Sequence, residues 1–245
     1  MNEDSAEIQK TSENTSPYPN VKIFPSMELE DSPYSNEINQ TVNIINTFWK
    51  NNGRKVLHAY EKTIGRKWPF GKQKVDVVVV GKDKTSETIT NYDNPIIKIR
   101  SYKSGAPRSP SIALSSFLHE LGHTFGKSSD TDFVLKQFGD RIDESKLGQL
   151  TKRLIAKEAH VELRWRKVME KFIGQVAASE RGNQRPTNIR EIFKNKADQE
   201  VMAALLSYRR NSYHGHVYEF IDKLTPEEQE AIINLEARNS YLTNK

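Results

Sequence analysis

Cysteine is absent from all 245 residues of the chain. That excludes a disulfide-stapled fold, a thiolate zinc site, an iron–sulfur cluster and a cysteine nucleophile. Any metal would therefore have to be held by His, Asp or Glu. Long hydrophobic runs are missing too: no window approaches the ~18 unbroken apolar residues of a membrane span. Charge of one sign is hardly in excess, since 37 Lys+Arg against 32 Asp+Glu leave +5 in a chain that is 28% charged. A surplus that small reads as a property of the surface and does not mark a nucleic-acid-binding protein. Apolar side chains are scarce in residues 1–34, which read as a flexible polar leader because such a stretch cannot offset its ordering entropy. The leader also lacks the basic start and apolar stretch of a Sec-type signal peptide. Residues 35–245 read as a single folded domain.

Within that domain, Ile38, Val42, Ile45 and Phe48 recur at helical spacing, with Ser35 as a plausible cap and Gly53 as the expected stop. A second helix is expected around Val56, Leu57, Tyr60 and Ile64. Val75–Val80 is a β-branched run that reads as a buried strand, and Pro95–Tyr102 alternates as a second strand with one wet face. Ser109 and Pro110 announce a helix running to about Phe125. Helices are then expected over about 144–178, 197–209 and 217–224, and Thr225-Pro-Glu-Glu228 is a capping-box pattern that starts the last one. The segments 81–94, 103–109, 127–143 and 181–190 read as loops. The fold class is α+β, with a small sheet preceding a helix-rich second half.

One segment outweighs the rest: His119-Glu120-Leu-Gly-His123. On a helix, residues four apart share a face, so both imidazoles can bind one metal ion. Glu120 is turned about 100° away and can reach a water held there without being a ligand, which is where a general base belongs. Leu114, Phe117, Leu118, Leu121 and Phe125 fall on the opposite face, so the helix can bury its back and show the histidines to a cleft; Ile112, Ser115 and Ser116 lie near them. Gly126 is expected to cap the helix in a left-handed conformation. With six histidines in the chain, the five-residue pattern arises by chance in about one chain in a hundred of this composition. The plain alternative is an amphipathic helix with two solvated histidines.

A third ligand has to come from elsewhere. Leu147, Leu154, Val161, Trp165, Met169, Phe172 and Val176 form the apolar stripe of the long helix, and Glu158 falls in its middle, where an unpaired carboxylate is costly. Glu158 as ligand, with Glu162 one turn on holding a histidine ring from behind, accounts for both acids. His160 points the other way. A salt bridge to Lys or Arg is the ordinary alternative for Glu158. Asp130, seven residues after His123, is the competing ligand and Asp132 a weaker one, although turn aspartates are common in loops.

These residues resemble the zincin metalloproteases, and the His119-Glu120-x-x-His123 helix is the point of contact. The gluzincin branch is the nearer one: the resemblance implies a third ligand at Glu158 and an acidic partner at Glu162, with Glu in place of the commoner Asp. The metzincin branch fits less well, since its third-ligand position is Ser129. Some bacterial effector proteases use an Asp shortly after the second histidine, as Asp130 would. The resemblance implies Zn2+ as cofactor, His119, His123 and Glu158 as its ligands, Glu120 as catalytic base, and an edge strand at Pro95–Tyr102 that pairs with substrate.

The expected function is zinc-dependent hydrolysis of a peptide bond in a specific protein substrate. The polar leader and the Glu-rich tail Pro226–Glu236 resemble those of secreted bacterial effectors, so the expected partner is a host protein and the expected destination a host cell, with the cytoplasm as the alternative. Tyr213, His214 and His216 are oxyanion candidates by residue type alone; a polar turn is the plainer reading. The rival function is a catalytically silent or regulatory His-Glu-x-x-His protein, or a binding module contacting nucleic acid through Arg181, Arg185, Arg190, Arg209 and Arg210.

Overall fold

A computed structural model of the chain describes residues 19, 21–29, 32–71, 74–80, 87–89, 95–100, 102–103, 106–107, 110–143, 152–180 and 215–243. The architecture is mostly helical, with a small sheet near the start. Strands β1 (Val21–Pro25), β2 (Val75–Val80), β4 (Ile96–Arg100) and β3 (Glu87–Ile89) lie side by side in that order. The first three are parallel, with Ile23 beside Val77 and Val77 beside Ile97, and β3 runs antiparallel to β4. Parallel neighbours need a crossover. Helix α1 (Ser35–Ile64) supplies it between β1 and β2.

Three expectations are corrected here. The stretch 1–34 is not leader throughout, because Val21–Pro25 is a strand of the main sheet: Ile23 is buried and local alternation outweighs a polar neighbourhood. Gly53 does not end a helix. The helix runs through it, and Gly53 serves close packing instead, since a Cβ there would sit 2.7 Å from the Trp49 ring. The stop is Gly65, left-handed at φ 73°, whose N–H donates to the Glu61 carbonyl. The strand at 95–102 is shorter than expected and is not an edge. It ends at Arg100 with β2 on one side and β3 on the other, and Tyr102–Lys103 (β5) instead pairs with Ala106–Pro107 (β6).

Helix α2 (Pro110–Thr124) packs on β4 and on the long helix α4 (Lys152–Glu180). Between them, Ser128–Phe138 forms helix α3 and Gly139–Arg141 a 3-10 turn, in a segment expected to be loop. The chain closes with α5 (Gly215–Ile221), α6 (Pro226–Ile233) and α7 (Leu235–Thr243). The capping box at Thr225 and Glu228 is formed in both directions. The helix expected over 197–209 lies outside the described residues, as do 144–151 at the expected start of α4.

Two apolar clusters meet on α4. Trp165, Val168, Met169 and Phe172 join the sheet, α1 and α2, whereas Ile155, Ala156, Ala159 and Leu163 join α3, α5 and α6. The Glu-rich C-terminal segment is part of this second cluster. Ala231, Ile232 and Ile233 are buried, and Glu228 is held by both guanidinium nitrogens of Arg141 at 2.5 and 2.6 Å. Among the described residues, no helix is long and apolar enough to cross a membrane.

Candidate metal centre

Helix α2 brings His119 and His123 onto one face, their ring centroids 5.0 Å apart. His119, Glu120 and His123 offer ligand atoms that lie within 4.8 Å of one another, a group that could hold a metal ion. His119 is 3% exposed and Glu120 7%, while His123 keeps 10% of its side chain exposed, so the histidine face is narrower than the expected cleft. Leu114, Phe117, Leu118, Leu121 and Phe125 line the core as expected, and Ser115 and Ser116 are buried as well. The Ser115 carbonyl accepts a hydrogen bond from the Trp165 indole, which also packs edge-on to the His119 ring.

Gly126 departs from expectation. It is not among the described glycines with positive φ, which are Gly65 and Gly71. What it provides is room, because a Cβ would come within 3.1 Å of the His160 ring and 3.2 Å of the His123 carbonyl.

Helix α4 places two carboxylates against the histidines. Glu158 Oε2 lies 3.3 Å from His119 Nε2 and 3.4 Å from His123 Nε2. Glu162, one turn on, puts Oε2 3.3 Å from the other nitrogen of the same ring, His119 Nδ1. The i, i+4 spacing thus lets one helix grip both ends of one imidazole. Burial would raise the Glu158 carboxyl, but hydrogen bonding from His119 and then His123 outweighs it and holds the group well below the ordinary carboxylate range.

Glu162 has further neighbours that sequence reasoning missed. The Tyr218 hydroxyl on α5 donates to Glu162 Oε1, and the Arg166 guanidinium lies 3.8 Å from that oxygen and 4.4 Å over the Tyr218 ring. The only available signal was a tyrosine inside an apolar helix, which reads as ordinary core.

Asp130 is placed elsewhere, and the expectation of it as a ligand does not fit its surroundings. It is fully buried on α3. Its Oδ2 accepts from Arg66 at 2.9 Å, Arg164 at 3.2 Å and the Lys127 N–H at 3.1 Å, and its Oδ1 accepts from Arg66 at 3.1 Å and Arg238 at 3.0 Å. Burial pushes the carboxyl up, but the charge of Arg164 and the hydrogen bond from Arg66 win and hold it far below its ordinary value. Asp132 is an exposed partner of Arg153.

His160 is buried beside Gly126 and Arg164. Its Nδ1 faces Arg164 Nη1 at 3.3 Å and its Nε2 faces Thr131 Oγ1 at 3.5 Å. Burial, then the Arg164 charge, lower its pKa well below 6.5, so the ring is neutral. His216 pairs with Glu219 beside a hollow lined by Arg141, Phe220 and Lys223, apart from the metal-site residues. Tyr213, His214 and the five arginines Arg181, Arg185, Arg190, Arg209 and Arg210 lie outside the described residues. No family model matches the chain, and no curated protein or solved structure matches it either.

Proposed function

We propose that the protein is a zinc-dependent peptidase of gluzincin type, with His119, His123 and Glu158 as ligands and Glu120 as general base. The observation that carries the reading is the approach of one Glu158 oxygen to both histidines. Ligands about 2.05 Å from a tetrahedral zinc stand about 3.3–3.4 Å apart. Glu158 Oε2 is 3.3 and 3.4 Å from the two imidazole nitrogens. A strong charge-assisted hydrogen bond would be shorter, about 2.7–2.9 Å. The donor set of two imidazoles and one carboxylate suits zinc and leaves a fourth position open.

Zinc, when bound, supplies a Lewis acid that polarises the scissile carbonyl and acidifies a water. The chain's own residues do the rest. Glu120 is next to His119 on the same helix and takes the proton from the attacking water, then delivers it to the leaving amine. Glu162 Oε2 lies 3.3 Å from His119 Nδ1, where it would hold the proton of a zinc-bound ring on that nitrogen and leave Nε2 to the metal. Of the described strands, β3 is the free edge on the β4 side of the sheet, and it takes over the role of pairing with an extended peptide. A catalytic helix this deeply buried supports narrow specificity for one protein substrate. A host protein is the proposed substrate, reached by secretion.

The test is zinc content and proteolysis of the wild type and Glu120→Gln. Cleavage lost with zinc retained is the expected result. Undiminished cleavage by Glu120→Gln, or by zinc-free protein, overturns the proposal.

A further inference from the structure

We infer that Tyr218 is a positioning residue for the metal centre, acting through Glu162 on His119; the inference rests on the reading of His119 as a zinc ligand. Three helices contribute one group each along a single line. The Tyr218 hydroxyl on α5 donates to Glu162 Oε1 on α4, and Glu162 Oε2 faces His119 Nδ1 on α2. None of the three is open to water: Tyr218 is 2% exposed, Glu162 0% and His119 3%.

A carboxylate buried to that degree has to have its oxygens satisfied by the protein, and the cost of leaving one bare is greater than the worth of an ordinary hydrogen bond. The phenol meets that need at Oε1 and, in doing so, sets the rotation of the carboxylate. With Oε1 held by Tyr218, Oε2 is the oxygen turned to the histidine ring. The Arg166 guanidinium lies over the Tyr218 ring, 4.4 Å from its centroid, and 3.8 Å from the same Oε1. It therefore restrains the ring from its face while adding positive charge beside the carboxylate. The consequence at the metal is directional. A fixed Glu162 keeps the proton of His119 on Nδ1 and the lone pair of Nε2 aimed at the point it shares with His123 and Glu158. A Glu162 free to rotate holds the ring less firmly, and affinity falls even though all three ligands are intact.

Partners behind a ligating histidine are worth about 10–100-fold in metal affinity. Tyr218 is one bond further back, so the lower end applies. The experiment measures zinc affinity of the full chain by chelator competition, together with the visible spectrum of the cobalt-substituted protein. The proteins are wild type, Tyr218→Phe, Glu162→Gln, the double variant and Phe220→Leu. Tyr218→Phe is expected to bind zinc about tenfold more weakly and to shift the cobalt bands, and to add nothing in the Glu162→Gln background. Phe220→Leu, a packing loss on the same helix, is expected to lower the melting temperature without moving affinity or spectrum.

Wild-type zinc affinity in Tyr218→Phe overturns the inference and leaves the peptidase reading standing. Equal losses in Tyr218→Phe and Phe220→Leu also overturn it, because loose packing would then be the cause. If Tyr218→Phe does not fold, Glu162→Gln decides: unchanged zinc affinity there removes the link to His119. A wild-type chain that binds no zinc defeats the peptidase reading itself.

Discussion

Helix α4 carries two buried charge clusters on opposite faces, and they are closed in different ways. On one face, Arg164 and its neighbours Arg66 and Arg238 surround a single carboxylate, Asp130, with N–O distances of 2.9–3.2 Å. The chain itself supplies the cations around Asp130, with Arg164 Nη2 left buried without a hydrogen-bond partner among the described residues. Arg66 also donates to the Phe125 carbonyl at the end of α2, Arg164 to the Ile233 carbonyl and Arg238 to the Ala231 carbonyl, so the cluster ties the motif helix to the C-terminal helices. On the other face, Glu158 Oε2 lies 3.3 and 3.4 Å from His119 Nε2 and His123 Nε2, and Glu162 lies among His119 Nδ1, the Tyr218 hydroxyl and, at 3.8 Å, the Arg166 guanidinium. Buried charge alone therefore does not identify a site. What separates the two is whether a carboxylate is ringed by guanidiniums, as Asp130 is, or faces two imidazoles of one helix, as Glu158 does.

Several substitutions would break or sharpen that contrast. The largest effect is expected from Glu120→Gln, which lowers kcat by about 10²–10⁴-fold while zinc content stays near one per chain. Next is Asp130→Asn. Removing the one carboxylate strands three guanidiniums, and breaking a buried pair costs about 3–5 kcal/mol. Urea denaturation checks the size, and the surviving folded fraction is expected to bind zinc with wild-type affinity. Equal loss of zinc in Asp130→Asn at matched folded fraction would mean the two clusters are not separate.

Acid should act on the clusters in sequence, read in metal-free protein by melting temperature against pH. His160, faced by Arg164, Asp130, His123 and Glu158, has its pKa depressed from 6.5 in the folded state. The unfolded chain then takes the proton first, so its contribution is full above about 6.5 and is lost as pH falls below that. Asp130 is depressed from 3.8. Its contribution is complete above about 4 and is lost only as pH drops further. His160→Gln should flatten the first step and leave the second. The smallest effect is expected from Arg238→Met, which leaves Asp130 two arginines and costs about 1–3 kcal/mol, with no change in zinc binding.

How much was legible in the sequence follows from the range of the interactions. His119, Glu120 and His123 are readable because their geometry is set by one helix. Glu158 and Glu162 were readable from a different kind of signal, acids inside an apolar stripe. Asp130 looked like a loop aspartate because its arginines are 64, 34 and 108 residues away, and no local pattern announces them. Tyr218 was invisible for the same reason, 56 residues from Glu162. Of the fold, the β-branched strand Val75–Val80 and the capped helices were plain. Strand β1 was hidden by its polar surroundings although Val21, Ile23 and Pro25 alternate with Lys22 and Phe24. Gly53 misled because a local stop signal was read without asking what Trp49, one helical turn earlier, needed.

The central claim is that α2 and α4 together form one zinc site, and metal content tests it most directly. Purified full-length protein is loaded with zinc, dialysed and analysed by mass spectrometry, alongside Glu158→Gln and Asp130→Asn. The account predicts one zinc per chain in the wild type, well under half in Glu158→Gln, and one per folded chain in Asp130→Asn. A wild type without zinc, or a Glu158→Gln protein that keeps its full complement while Asp130→Asn loses it, contradicts the account.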